Sequence, residues 1–87
     1  MITVNIPSPL RSYTGNQSTV EASGGNLREV LLYVEENYQG ILFRILDEQG
    51  RIRQHIKFYV NKDPVDDLDV PLRNGDTLHI ICALSGG

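Results

Sequence analysis

The feature that most constrains this chain is one amphipathic segment, Asn26 to Gly40, set between segments of strand-like alternation. Leu27, Val30, Leu31, Val34 and Tyr38 recur at the i, i+3, i+4 spacing of one helical face. Asn26 suits an N-cap, and Glu29 stands where a capping-box partner belongs. Gly40 is placed to terminate the helix. A helix with a single apolar stripe must bury that stripe against another element. The strongest apolar periodicity elsewhere is of period two, so that element is a sheet.

Ile2, Val4 and Ile6 alternate with Thr3 and Asn5, and Pro7 and Pro9 end this first strand. Gly15-Asn16 marks a turn, Ser18 to Ala22 return as a second strand, and Gly24-Gly25 breaks the chain before the helix. Beyond it, Leu42, Ile45 and Leu46 suggest a short helical turn, and Gln49-Gly50 a loop. Ile56, Phe58 and Val60 alternate with Lys57 and Tyr59. Asn61 to Leu72, which includes Pro64 and Pro71, reads as a polar connection. Asn74-Gly75-Asp76 then turns into a last strand, where Leu78, Ile80 and Cys82 alternate with His79, Ile81 and Ala83. The order strand, strand, helix, short helix, strand, strand predicts a two-layer α+β domain of the β-grasp kind. Its mixed sheet of four to five strands has the main helix on one face, with the apolar first and last strands side by side.

The 87 residues suffice for one domain with one modest core. Eight Lys and Arg against eleven Asp and Glu give a net charge of -3. That balance opposes binding to nucleic acid, which relies on cations neutralising phosphates, and docking to anionic membranes. No apolar run approaches the length of a membrane span, and the N-terminal residues do not read as a signal peptide. Cys82 is the single cysteine, so no internal disulfide can form and a cytoplasmic location is expected.

The end of the chain makes the reading specific. Asn74-Gly75-Asp76 leads into the apolar strand Thr77 to Ala83 and then into Leu84-Ser85-Gly86-Gly87. This resembles the terminus of the ThiS/MoaD family of ubiquitin-like sulfur carriers. Asp47-Glu48-Gln49-Gly50-Arg51-Ile52-Arg53-Gln54-His55, running into Phe58-Tyr59-Val60-Asn61, is similar to the family's longer members. Those include the molybdopterin synthase small subunit and the carrier of thiocarboxylate-dependent cysteine synthesis. Cys82 and Leu84-Ser85 depart from patterns common among relatives. The carrier chemistry rests instead on Gly86 and Gly87.

The resemblance implies a ubiquitin-like β-grasp domain over residues 1–83 and a flexible Gly-Gly tail over 84–87. It also implies chemistry at the Gly87 carboxylate. A carboxylate is a poor electrophile, and conversion to an acyl-adenylate supplies a leaving group for attack by sulfur. Glycine allows the closest backbone approach to an enzyme's ATP site. Leu84 to Gly87 could reach about 13 Å into such a site while the folded body stays outside. Two terminal glycines arise by chance in only about half a percent of chains. The chain is accordingly expected to be a carrier and substrate, not an enzyme. No resident cofactor is expected, only transient AMP and sulfur at Gly87. The expected partners are an adenylating enzyme of the ubiquitin-activating type, which uses the ATP, and a sulfur-accepting synthase.

Other features carry less. His79 and Cys82 lie three apart on a strand, so they point to opposite faces and cannot share a metal. Cys82 is expected to be buried as a small hydrophobe. Asp63, Asp66, Asp67 and Asp69 lack the glycine and terminal glutamate of a calcium loop. If Ile56, Phe58, Val60, Leu78, Ile80 and Cys82 face the helix, then His55, Lys57, Tyr59, His79 and Ile81 face away. Tyr59, His79 and Ile81 beside the tail therefore form the expected partner interface. Three other functions share much of this reading. A protein modifier would be conjugated through Gly87 to lysines, and a synthase subunit would lodge its tail in a larger partner. A plain binding module would not use the tail at all. One cysteine excludes an iron-sulfur ferredoxin.

Overall fold

A computed structural model describes residues 1–83, so the expected tail, 84–87, lies outside the described residues. Five strands form one mixed sheet: β1 (Ile2–Asn5), β2 (Thr19–Ala22), β3 (Ile56–Val60), β4 (Asp63–Val65) and β5 (Thr77–Cys82). Their order is β2-β1-β5-β3-β4. β1 and β5 run parallel at the centre, and every other pairing is antiparallel. The first and last strands are thus neighbours, as their apolar content requires.

Helix α1 (Leu27–Asn37) covers one face of the sheet. Its Leu27, Val30, Leu31 and Val34 pack with Ile2, Val4, Ile56, Phe58, Leu78 and Ile80 in one core. The alternation seen in the sequence is therefore the alternation of burial. The start of α1 is fully provided for. Glu29 N donates to Asn26 Oδ1 at 2.8 Å, while Leu27 N and Arg28 N donate to Val70 O and Leu68 O at 3.0 and 2.8 Å. The Glu29 carboxylate accepts from Gly25 N at 2.8 Å, one residue before the cap a capping box would serve. Gly24 does more than break the chain. A Cβ there would lie 2.7 Å from Val30 N, so only glycine permits this approach to the helix.

Four elements differ from the sequence reading. α1 ends at Asn37, before Gly40. Gly40, at φ 100°, instead joins α1 to helix α2 (Ile41–Ile45). There the Glu35 carboxylate accepts from Gly40 N at 3.0 Å and Leu42 N at 2.9 Å, capping α2 from the preceding helix. Ser8–Thr14 form a 3-10 helix that buries Leu10 and Thr14; its prolines start it as well as ending β1. The stretch read as a wholly polar connection contains β4, an edge strand that tolerates Pro64, and it buries Leu68 and Leu72. Cys82, expected in the core, is only half-buried, because it lies at the last position of β5.

Candidate functional site

The site is built around the end of β5, the central strand. Its start is held by polar side chains. Asn61 Oδ1 accepts from Thr77 N at 3.0 Å, and Asn61 Nδ2 donates to Asp76 Oδ1 at 3.0 Å. Asp76 Oδ2 accepts from Arg73 N at 2.8 Å. The Arg73 amide first, then the Asn61 side chain, hold the Asp76 carboxyl below the usual carboxylate range. The Met1 amino group donates to Asn74 Oδ1, and Gly75 N donates to Met1 O at 3.1 Å. The Asn-Gly-Asp turn thus sets the register of the last strand.

At the far end the ladder is asymmetric. On the β3 side it continues to the last described residue, where Ala83 N donates to His55 O at 2.7 Å. On the β1 side it stops at the Asn5–His79 pair. Ile80 to Cys82 therefore border a groove of about 470 Å³ whose far wall includes Pro7, Pro9 and Arg11.

The sheet face turned away from α1 presents alternate residues of β3 and β5. Lys57 stands opposite Ile81, and Tyr59 opposite His79. Tyr59 and Ile81 are thus diagonal neighbours on adjacent strands, a separation an aromatic side chain can span. They are 39% and 42% exposed, unlike Phe58 and Ile80 between them at 1% each. His79 is half-buried, and Asn5 Nδ2 donates to its Nδ1 at 2.8 Å. Thr19 Oγ1 donates to Asn5 Oδ1 at 3.2 Å. Asn5 so holds the imidazole in place through Nδ1. Nothing in the local sequence signals this, since the pair lies 74 residues apart.

The structure thus brings Tyr59, His79 and Ile81 onto one face. Cys82 points the other way and touches the core's margin. Burial raises its thiol pKa, which makes it a weak nucleophile near neutral pH. Leu84, Ser85, Gly86 and Gly87 lie outside the described residues. Among the described residues no group of three or more His, Cys, Asp or Glu could hold a metal ion. Nor is any helix there long and apolar enough to cross a membrane.

Comparison with known proteins extends this picture. Two mycobacterial proteins, from Mycobacterium bovis and Mycobacterium tuberculosis, are each named sulfur carrier protein CysO. Each is 37% identical to this chain over 99% of it and 98% of their own length. Among solved structures, that of the Amycolatopsis orientalis BexX/CysO complex matches at a TM-score of 0.92 and 37% identity, with both chains fully covered. The small archaeal modifier protein 1 of Methanosarcina acetivorans shares the fold at a TM-score of 0.81 and 23% identity, covering 99% of this chain and 95% of that one. The ThiS family model matches residues 4–87, from the second core position of β1 through both glycines, and the chain belongs to the ThiS family.

Proposed function

We propose that the chain is a sulfur carrier whose Gly87 carboxylate is activated and then loaded with sulfur. One observation carries the reading: the family match runs through Gly86 and Gly87, beyond the last ladder bond at Ala83. In the first step a Gly87 carboxylate oxygen attacks the α-phosphorus of ATP on the adenylating enzyme. An oxygen–phosphorus bond forms, pyrophosphate leaves, and an acyl-adenylate results. In the second step a sulfide-level donor attacks the acyl carbon. A carbon–sulfur bond forms, AMP leaves with the bonding pair, and the tail becomes a thiocarboxylate. The sulfur then passes to a synthase in cofactor or amino-acid biosynthesis. The chain holds no resident cofactor in this scheme, only the transient AMP and sulfur. It is carrier and substrate, and the proposed setting is the cytoplasm, where ATP is available and a lone thiol stays reduced.

The body's contribution is recognition. Four tail residues offer little area, whereas a stable interface buries about 800 Å² per partner. The face with Tyr59, His79 and Ile81 lies on β3 and β5, and β5 is the strand that leads to the tail. Two tail variants test the chemistry: one lacking Gly87 and one extended by a single residue. Both should fold, and both should fail to support ATP–pyrophosphate exchange by a cognate activating enzyme. Exchange at the normal rate by either variant overturns the proposal.

A further inference from the structure

The last strand carries an unfilled place on its β1 side. Residues of β5 turn their backbone groups alternately toward its two neighbours. The odd-numbered residues bond to the β3 side: Asn61 N donates to Thr77 O at 2.8 Å, and Ala83 N donates to His55 O at 2.7 Å. The even-numbered residues bond toward β1, beginning with Thr3 N, which donates to Asp76 O at 3.1 Å. That parallel ladder ends at the Asn5–His79 pair. The residue that would extend it is Pro7. Proline has no N–H to donate to Ile80 O. Pro7 O is also committed, since it accepts from Leu10 N at 2.9 Å where the 3-10 helix begins.

Ile80 O and Cys82 N consequently have no hydrogen-bond partner among the described residues. Both lie on the side of the groove of about 470 Å³ between β5 and the wall that includes Pro7, Pro9 and Arg11. The wall is tied in place, because Arg11 Nε donates to Ile6 O at 2.9 Å and so fastens the diverging chain to the end of β1. Arg11 is the single lysine or arginine in the lining, which contains no Asp or Glu. It has no ion-pair partner among the described residues. Its Nη groups therefore carry a charge that nothing in the groove offsets.

We propose that this groove takes an extended backbone segment of a partner protein, with a carboxylate on that segment for Arg11. The unpaired backbone groups select the occupant. An extended main chain presents donors and acceptors together, so it can serve Ile80 O and Cys82 N at once. A small anion can accept from Cys82 N but leaves Ile80 O unserved. Addition of a strand to an open sheet edge is a recurrent mode of peptide recognition. Here the opening lies beside the central strand, where Pro7 turns the chain away, and β5 keeps its ladder to β3 while the guest binds. Pro7, Pro9 and the exposed Ile81 give the guest's side chains apolar surface to cover. The Arg11 guanidinium adds charge-assisted hydrogen bonds to a carboxylate. The proposal does not depend on the sulfur chemistry.

The test is an amide chemical-shift titration of the full, isotope-labelled chain with an acetylated Thr-Val-Glu-Val-Thr amide. Saturable shifts should be confined to residues 5–11 and 79–83, and the Cys82 amide should become protected from hydrogen exchange. The same peptide N-methylated at every amide keeps its side chains but has no donors, and it should bind at least about tenfold more weakly. Cys82→Pro removes only the N–H that faces the groove, so it should keep a dispersed spectrum and show a similar loss. Should that variant fail to fold, the N-methylated peptide decides the matter alone. Arg11→Gln, and separately Gln for Glu in the peptide, should each weaken binding about two- to fivefold. No saturable binding, or equal binding of the N-methylated peptide, would overturn the proposal. So would undiminished binding by a folded Cys82→Pro protein, or by both the Arg11→Gln protein and the Gln peptide. Sedimentation of the chain alone provides the last check: a dimer that already protects the Cys82 amide would give the groove to a second copy and overturn the proposal.

Discussion

Asn61 and Asp76 join the turn after β3 to the turn before β5 through a hydrogen bond of 3.0 Å. Asn61 also accepts from Thr77 N, so one side chain, held at φ 57°, governs the entry to the central strand. Asp76 should therefore make stability depend on pH in one direction. Its folded pKa is depressed, first by the Arg73 amide and then by Asn61. A carboxyl with a depressed folded pKa adds stability above its unfolded value, and that stability is lost as pH falls through the lower folded value. The window thus lies below about pH 4. Asp76→Asn should melt lower than the parent at neutral pH and lose less on acidification. Melting curves of both proteins between about pH 5 and pH 2 check this; equal losses would mean that Asp76 does not contribute.

Glu35 spans the break between the two helices by accepting from Gly40 N and Leu42 N. Truncation leaves amides at the start of α2 without their acceptor. Glu35→Ala should cost about 1–2 kcal/mol, as loss of a helix cap does. For a domain of this size that is a drop of about 4–8 °C per kcal/mol. Glu35→Gln, which keeps one acceptor oxygen, should cost less. Denaturant titration of the two variants distinguishes them.

The two faces of β3 should respond oppositely. Phe58 is 1% exposed and packs in the core, so Phe58→Ala should cost about 3–5 kcal/mol. Tyr59→Ala, one residue along, and Ile81→Asp should each stay within about 1 kcal/mol. If the outer face is the docking surface, those two variants should bind the activating enzyme about thirtyfold more weakly, the loss expected of a true anchor. Calorimetric titration beside melting curves reads both quantities. Unchanged affinity in both would move the interface elsewhere.

Cys82 should be dispensable for sulfur transfer. Its thiol pKa is raised by burial, and its side chain lies on the opposite sheet face from His79. Cys82→Ala should fold and still accept sulfur at Gly87, read as a mass increase of about 16 Da, the difference between sulfur and oxygen. A folded Cys82→Ala protein that fails to gain this mass would bring the thiol into the mechanism.

Gly24→Ala tests the close approach at the start of α1. The added Cβ would meet Val30 N at 2.7 Å, a backbone atom that cannot move without disturbing the helix. A loss of about 1–3 kcal/mol is expected, as for other overpacked sites. Gly50→Ala, which meets nothing within 4 Å, should lose only what its positive φ costs. Comparing the two by chemical denaturation separates steric from conformational strain.

Local pattern alone determined the order of β1, β2, α1, α2, β3 and β5, the cap at Asn26 and the buried face of each long element. Those features depend on neighbours a few residues away: Leu27 to Val34 form a stripe because the helical period aligns them, and Phe58 and Tyr59 part because a strand alternates. Tertiary structure decided what has no local period. The 3-10 helix at Ser8–Thr14 and the strand at Asp63–Val65 form because Leu10, Leu68 and Leu72 find core to bury against. Cys82 escapes full burial because it stands at the end of its strand, a matter of register that alternation cannot report. Asn5 meets His79, and Arg28 shares a cleft with Arg51, Arg53 and Lys57, because sheet order and the docking of α1 bring together residues far apart in the chain. Long-range packing sets those distances, and it acts only once the whole core has closed.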